Sequence, residues 1–102
     1  MQIKSRIYNN TLYVLLNGEL DEYTAVYTRT QLDTLFSKIT YSQVIIDLTE
    51  LSFMDSTGIG VLIGRYKKLK NNKVPIYICN PSNQIEKIFK ISGLYEIMPK
   101  IS

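Results

Sequence analysis

Residues 44–60 constrain this chain more than any other stretch. Val44-Ile45-Ile46-Asp47-Leu48 is a nearly continuous apolar, β-branched run, which predicts a buried strand. Over residues 59–69, Ile59, Leu62, Ile63, Tyr66 and Leu69 recur at helical spacing. A short loop containing Phe53-Met54-Asp55-Ser56-Thr57-Gly58 joins the two and sets a pair of adjacent hydroxyls where the helix begins. Helix starts carry unpaired backbone N–H groups and the positive end of the helix dipole, so they favour an anionic group. Ser56 therefore reads as a regulated hydroxyl, positioned by the rest of the chain.

Upstream, residues 2–8 and 11–17 predict two strands joined at Asn9-Asn10, a hairpin turn. Asp21, following Gly18-Glu19-Leu20, suits a helix N-cap. Val26, Tyr27, Leu32, Leu35, Phe36 and Ile39 fit one face of the helix it would start. The character of residues 44–48 predicts burial on both faces, at the centre of a helix-covered sheet. Gly60 and Gly64 share one face of the second helix and each costs about 1 kcal/mol relative to alanine. Close approach of a neighbouring element is the expected compensation.

Residues 74–79 predict a further strand, with Pro75 near its start or on an edge. Asn80-Pro81 marks a helix start. Ile85, Ile88, Phe89 and Ile91 complete that helix, and Gly93 stops it. Residues 94–102 read as a final short strand or an ordered tail. The whole is a single α/β domain over residues 1–102, a small mixed β-sheet with amphipathic helices packed on it. The opening hairpin is antiparallel, and the helical crossovers favour parallel neighbours later.

With 45% hydrophobic and 21% charged residues the chain is globular in composition. No apolar run approaches the roughly 20 residues needed to span a bilayer, and the N-terminus lacks a signal-peptide h-region. The single cysteine, Cys79, has no internal disulfide partner, which points to an intracellular, cytoplasmic protein. Without a secretory signal, the glycosylation sequon Asn9-Asn10-Thr11 carries no weight. The net charge of +3 and the cluster Lys67-Lys68-Leu69-Lys70-Asn71-Asn72-Lys73 invite a nucleic-acid reading. Lysines also suit the last turn of any helix, and no nucleic-acid motif accompanies them, so direct nucleic-acid binding is not expected.

Inventory removes most enzymes. The chain has no histidine, so Ser-His-Asp and Cys-His mechanisms are closed to it. Metal-ligand spacings are absent, and Cys79 has no activating neighbour in sequence. Gly58-x-Gly60-x-x-x-Gly64 lacks the strand-turn context and the later acidic residue of a dinucleotide site, so no cofactor is expected. Asp21, Glu50 and Asp55 are available for carboxylate chemistry, although Asp21 is also a natural cap and Glu50 a solvated side chain. Asp55, directly before Ser56, is suited to capping the helix or to orienting Ser56 toward a partner. Two hydroxyls in succession exceed what one cap requires.

The seventeen residues Leu51-Ser52-Phe53-Met54-Asp55-Ser56-Thr57-Gly58-Ile59-Gly60-Val61-Leu62-Ile63-Gly64-Arg65-Tyr66-Lys67 closely resemble the signature of the anti-sigma factor antagonists of the STAS domain family, above all its sporulation members. Gly18-Glu19-Leu20-Asp21 with Thr24-Ala25 is similar to a second family segment, and Phe89-Lys90-Ile91-Ser92-Gly93-Leu94 to a third. Members often continue into another C-terminal helix, whereas this sequence ends at Ser102.

The resemblance implies that the cognate anti-sigma factor, an ATP-using serine kinase, phosphorylates Ser56. It implies that the unphosphorylated protein binds that factor and frees the sigma factor, and that a PP2C-type phosphatase restores the active form. Asp21, Thr24, Asp55, Ser56, Thr57, Gly58 and Ile59 are the expected partner-binding residues. The family fold would set Asp21 and Thr24 beside the Ser56 loop, with capping as their alternative use. Thr57 stands where a serine is common and keeps a hydroxyl. A STAS-type interaction or ligand-sensing module outside sigma control is the alternative function. An enzyme using Ser56 as nucleophile is hampered by the missing histidine.

Overall fold

The computed structural model describes residues 1–38 and 40–101. In chain order the elements are β1 (Gln2–Tyr8), β2 (Thr11–Leu20), α1 (Ala25–Lys38), β3 (Gln43–Asp47), β4 (Leu51–Met54), α2 (Ser56–Asn71), β5 (Ile76–Cys79) and α3 (Asn83–Ser92), followed by a 3-10 turn, Leu94–Glu96. Asn9 and Asn10 both take positive φ, 50° and 61°. That is the backbone whose twist matches a two-residue hairpin, and asparagine tolerates it better than most residues. β1 and β2 accordingly pair antiparallel, while β2 pairs parallel with β3 and β3 with β5. The sheet is mixed, as the order of elements predicted.

Two expectations about the sheet need correction. Residues 51–54 are not loop but β4, which pairs parallel with the far end of β2. β2 runs on past residue 17 through a register shift at Gly18, φ 122°, and so reaches β4. Leu51 and Met54 are each 2% exposed, which stabilises a strand too short to show alternation in sequence. Second, the helices cover one face of the sheet, not both. The core joins Leu12, Val14 and Leu16 of β2, Val44 and Ile46 of β3, and Ile76 and Ile78 of β5 to residues of all three helices. The intervening Tyr13, Leu15, Tyr77 and Cys79 remain half-buried on the other face. Ile45 owes its burial there to the register, which sets it between Tyr13 and Tyr77.

The helices also differ in detail. α1 turns Ala25, Thr28 and Leu32 inward, with Leu35 and Phe36 packed beside them. Val26 and Tyr27, expected on that face, point outward at 62% and 50% exposure. Small residues let the helix approach the sheet, whereas ranking by size and hydrophobicity selects the neighbouring stripe. The expected inward Ile39 lies outside the described residues. α3 starts at Asn83, not at Asn80-Pro81, because the Ser82 hydroxyl accepts from Ile85 N–H at 3.2 Å and makes the cap. Ile85 and Phe89 are buried as expected, but Ile91 is exposed. Gly93 ends the helix in the left-handed conformation, φ 74°. Of the expected final strand or tail, Ser102 lies outside the described residues; residues 94–101 carry the 3-10 turn and one strand-like rung on β5, in which Ile78 N–H donates to Pro99 O and Ile101 N–H to Ile78 O, both at 2.9 Å.

Candidate functional site

β4 delivers the chain to Asp55, whose extended backbone (φ −107°, ψ −173°) makes it the N-cap of α2. Its Oδ1 accepts from Gly58 N–H at 2.9 Å, and its Oδ2 accepts from Glu22 N–H at 3.3 Å. One carboxylate thus closes the first turn of α2 and ties it to the turn that follows β2. The backbone adds a third tie, Asp55 N–H to Leu20 O at 3.3 Å. Ser56 and Thr57 occupy the first two helical positions, and both are exposed. With Asp55 as the cap, neither hydroxyl is consumed by helix initiation. The N-terminus of a sixteen-residue helix lies directly behind them.

Asp21 and Thr24 organise the facing turn. Asp21 Oδ1 accepts from Tyr23 and Thr24 N–H, both at 3.0 Å, as an N-cap would, although regular helix begins only at Ala25. The Thr24 hydroxyl accepts from Asp21 N–H at 3.0 Å and donates to Glu19 O at 2.8 Å. Asp21 is only 9% exposed, so its carboxylate shapes the turn from within. The Glu22–Asp55 bond brings this turn against the start of α2, so the sequence-expected residues do assemble. Their exposure differs: Ser56 and Thr57 face outward, Asp55 and Ile59 are half-buried, and Gly58 is buried. Glu50 stands exposed outside the cluster.

Gly58 is where the helix meets its neighbours. A Cβ there would strike Leu20 O, with Met54 Cγ at 2.8 Å and Leu20 Cγ at 2.9 Å. The close approach expected at Gly60 and Gly64 is absent, since a Cβ at either would meet nothing within 4 Å. The tight contact belongs to the turn carrying Ser56, because there the helix crosses the junction of β2 and β4.

A second tie holds α1 against α2. Arg65, 4% exposed, sets Nε 2.9 Å from Asp33 Oδ1, and Lys68 Nζ lies 3.0 Å from Asp33 Oδ2. Together with the Glu22–Asp55 bond, this makes the two helices run side by side with their N-termini at one end. Sequence inspection missed both Arg65 and the outward Tyr23, Val26 and Tyr27. The signal for Arg65 was its place on the buried stripe with Leu62 and Leu69.

The remaining chemistry is sparse. Burial and then the nearby Asp47 push the Cys79 thiol up, away from the reactive thiolate. Among the described residues, no group of three or more His, Cys, Asp or Glu is placed to hold a metal, and no helix is long and apolar enough to cross a membrane. A groove of about 410 Å³ on the open sheet face, lined by Lys4, Arg6, Tyr13, Leu15, Asp47 and Cys79 among others, includes none of the residues around Ser56.

Compared with known proteins, residues 2–102 match the STAS domain. This chain belongs to the STAS domain family. Within that family it is similar to the anti-sigma F factor antagonist of Paenibacillus polymyxa, 33% identical over 99 residues, covering 97% of this chain and 85% of that one. The anti-sigma-B factor antagonist of Listeria monocytogenes is also 33% identical over 99 residues, covering 96% and 84%. The structure of the Bacillus cell fate determinant SpoIIAA in its phosphorylated form superposes with a TM-score of 0.73 at 28% identity, covering 99% of this chain and 92% of that one. Its relatives place the STAS domain described here with the anti-sigma factor antagonist family. Its strand β4, cap Asp55 and helix α2 form the segment that carried the resemblance in sequence.

Proposed function

We propose that this STAS domain binds an anti-sigma factor that is also an ATP-dependent serine kinase, and thereby releases a sigma factor. Phosphorylation of Ser56 switches the binding off, and a PP2C-type phosphatase restores it. The domain supplies a surface and a substrate hydroxyl; the kinase supplies the catalysis. The observation that carries this reading is the pairing of an exposed Ser56 with a cap already made by Asp55. A side chain at that position is free to accept phosphate without loosening the helix start. SpoIIAA, which shares the fold, has been described in a phosphorylated form, and that supports the same use here.

The electrostatics are consistent with a switch that leaves the fold intact. A phosphate adds roughly −1.5 to −2 charges at neutral pH. Exposed at the start of α2, that charge is solvated and meets the positive end of the helix. At a protein interface it must be desolvated beside Asp55. A penalty of about 4 kcal/mol there weakens binding about a thousandfold. Asp21 and Thr24 take part by holding the facing turn, and Thr57, Gly58 and Ile59 by continuing the surface or supporting it. By this reading the protein works in the cytoplasm, in control of a sporulation-type sigma factor.

Incubation with the cognate anti-sigma factor and ATP should add one phosphate, located at Ser56 by mass spectrometry. Equal phosphorylation of Ser56→Ala would refute the site. A pull-down that recovers no ATP-binding kinase would favour a STAS interaction or ligand-sensing module outside sigma control.

A further inference from the structure

We propose that Tyr23, Val26 and Tyr27, at the start of α1, are the anchor of the anti-sigma factor contact, separate from the hydroxyl that switches it. The proposal rests on the reading of Ser56 given above. These three residues are 87%, 62% and 50% exposed. Val26 and Tyr27 lie in the first turn of α1, and Tyr23 stands in the turn that leads into it, so all three are gathered at the N-terminal end of the helix. The fold makes no use of these side chains, because α1 packs through Ala25, Thr28 and Leu32.

The occupant is indicated by position. Tyr23 directly follows Glu22, whose N–H donates to Asp55 Oδ2 at 3.3 Å, so the patch adjoins the cap of the Ser56 helix. Phe53, 39% exposed on β4, lies two residues before Asp55 and adds apolar surface on the strand leading to it. Further along the outer face of α1 the residues turn polar: Thr30, Gln31 and Thr34 are exposed. The apolar surface is confined to the end of the helix nearest Ser56. A partner seated over Ser56 covers it without a second, remote contact.

This arrangement also meets a requirement of the switch. One serine hydroxyl contributes little affinity, so the energy that phosphate opposes must come from neighbouring residues. Exposed tyrosines are suited to that, since they offer large apolar area with few rotatable bonds, and anchors of this kind dominate interface energetics. Affinity and regulation are then borne by different side chains on one surface.

The test measures the dissociation constant of the purified cognate anti-sigma factor, with ATP analogue bound, for wild type, Tyr23→Ser, Tyr27→Ser, the double variant, Ser56→Ala and Ser56→Asp. Thermal midpoints serve as controls and should stay at the wild-type value, because the substituted side chains are exposed. The expected result is about a tenfold loss for each tyrosine and a larger one for the pair. Ser56→Ala should keep near-wild-type affinity, and Ser56→Asp should lose it. Wild-type affinity in the double variant, with Ser56→Asp still impaired, would overturn the anchor while leaving the reading of Ser56 intact. Equal affinity in all variants would overturn both. A concentration-dependent dimer of the free protein that is abolished by Tyr23→Ser would assign the patch to a second copy and also overturn the proposal.

Discussion

Alanine at Gly58 is predicted to destabilise the domain, although alanine at the other two glycines of α2 is predicted to stabilise it. At position 58 the added Cβ collides with the carbonyl oxygen of Leu20 and sits 2.8 Å from Met54 Cγ and 2.9 Å from Leu20 Cγ. The side chains can turn aside, but the carbonyl belongs to β2, where the strand pairs with β4. Relief requires the first turn of α2 to move away from the sheet. Overpacking of this kind costs about 1–3 kcal/mol, and a backbone obstacle belongs at the upper end. The gain in helix propensity returns about 1 kcal/mol. The net loss is therefore about 2 kcal/mol, or roughly 10 °C in thermal midpoint for a domain of this size.

At Gly60 and Gly64 the same methyl meets open space, so only the propensity and chain-entropy gain remains, about 0.5–1 kcal/mol each. Urea unfolding of the three single variants provides the measurement. Opposite signs at position 58 and at positions 60 and 64 are the expected result. A Gly58→Ala variant as stable as wild type would show that the α2 start is not clamped against β2. It would also remove the basis for treating Ser56 as rigidly presented.

Asp55→Ala should cost about 1–2 kcal/mol, since it removes the partner of Gly58 N–H and of Glu22 N–H together. Asp55→Asn should recover most of the cap, and equal stability of the two variants by denaturant unfolding would refute that role. Tyr95 is pushed up to about 12 by burial and by Glu86, which accepts its hydroxyl hydrogen at 3.2 Å. Because this folded-state value lies above that of an unfolded tyrosine, near 10, the contribution is complete below pH 10 and lost as pH rises toward 12. Urea midpoints between pH 9 and 12 should fall less steeply for Tyr95→Phe than for wild type; parallel curves would contradict the assignment.

The parts of the fold legible in sequence are those whose cause is local. Asn9-Asn10 specifies its turn through its own backbone preferences, Gly93 its helix stop, and the spacing of Leu62 and Leu69 a buried helical stripe. β4 was not legible, because a four-residue strand is stabilised by pairing with Gly18, Glu19 and Leu20, more than thirty residues earlier. The buried face of α1 departs from the sequence pattern for a related reason. The packing distance between α1 and the sheet favours Ala25 and Thr28 over the larger Val26 and Tyr27, and that distance is a property of the assembled layers.

The candidate site divides in the same way. Residue order alone places an acidic residue and two hydroxyls where a helix begins, in a chain without histidine, within a segment that resembles the signature of a known family. How those groups are used follows from the packed fold. It made Asp55 the cap and left Ser56 and Thr57 exposed. It buried Gly58 under Leu20, and it drew the turn of Asp21 and Thr24 against α2 through the Glu22–Asp55 bond. Residue type and spacing encode which hydrogen bonds and contacts are available. Which of them form depends on what the sheet and helices bring within about 3 Å of one another, and that is set by long-range packing.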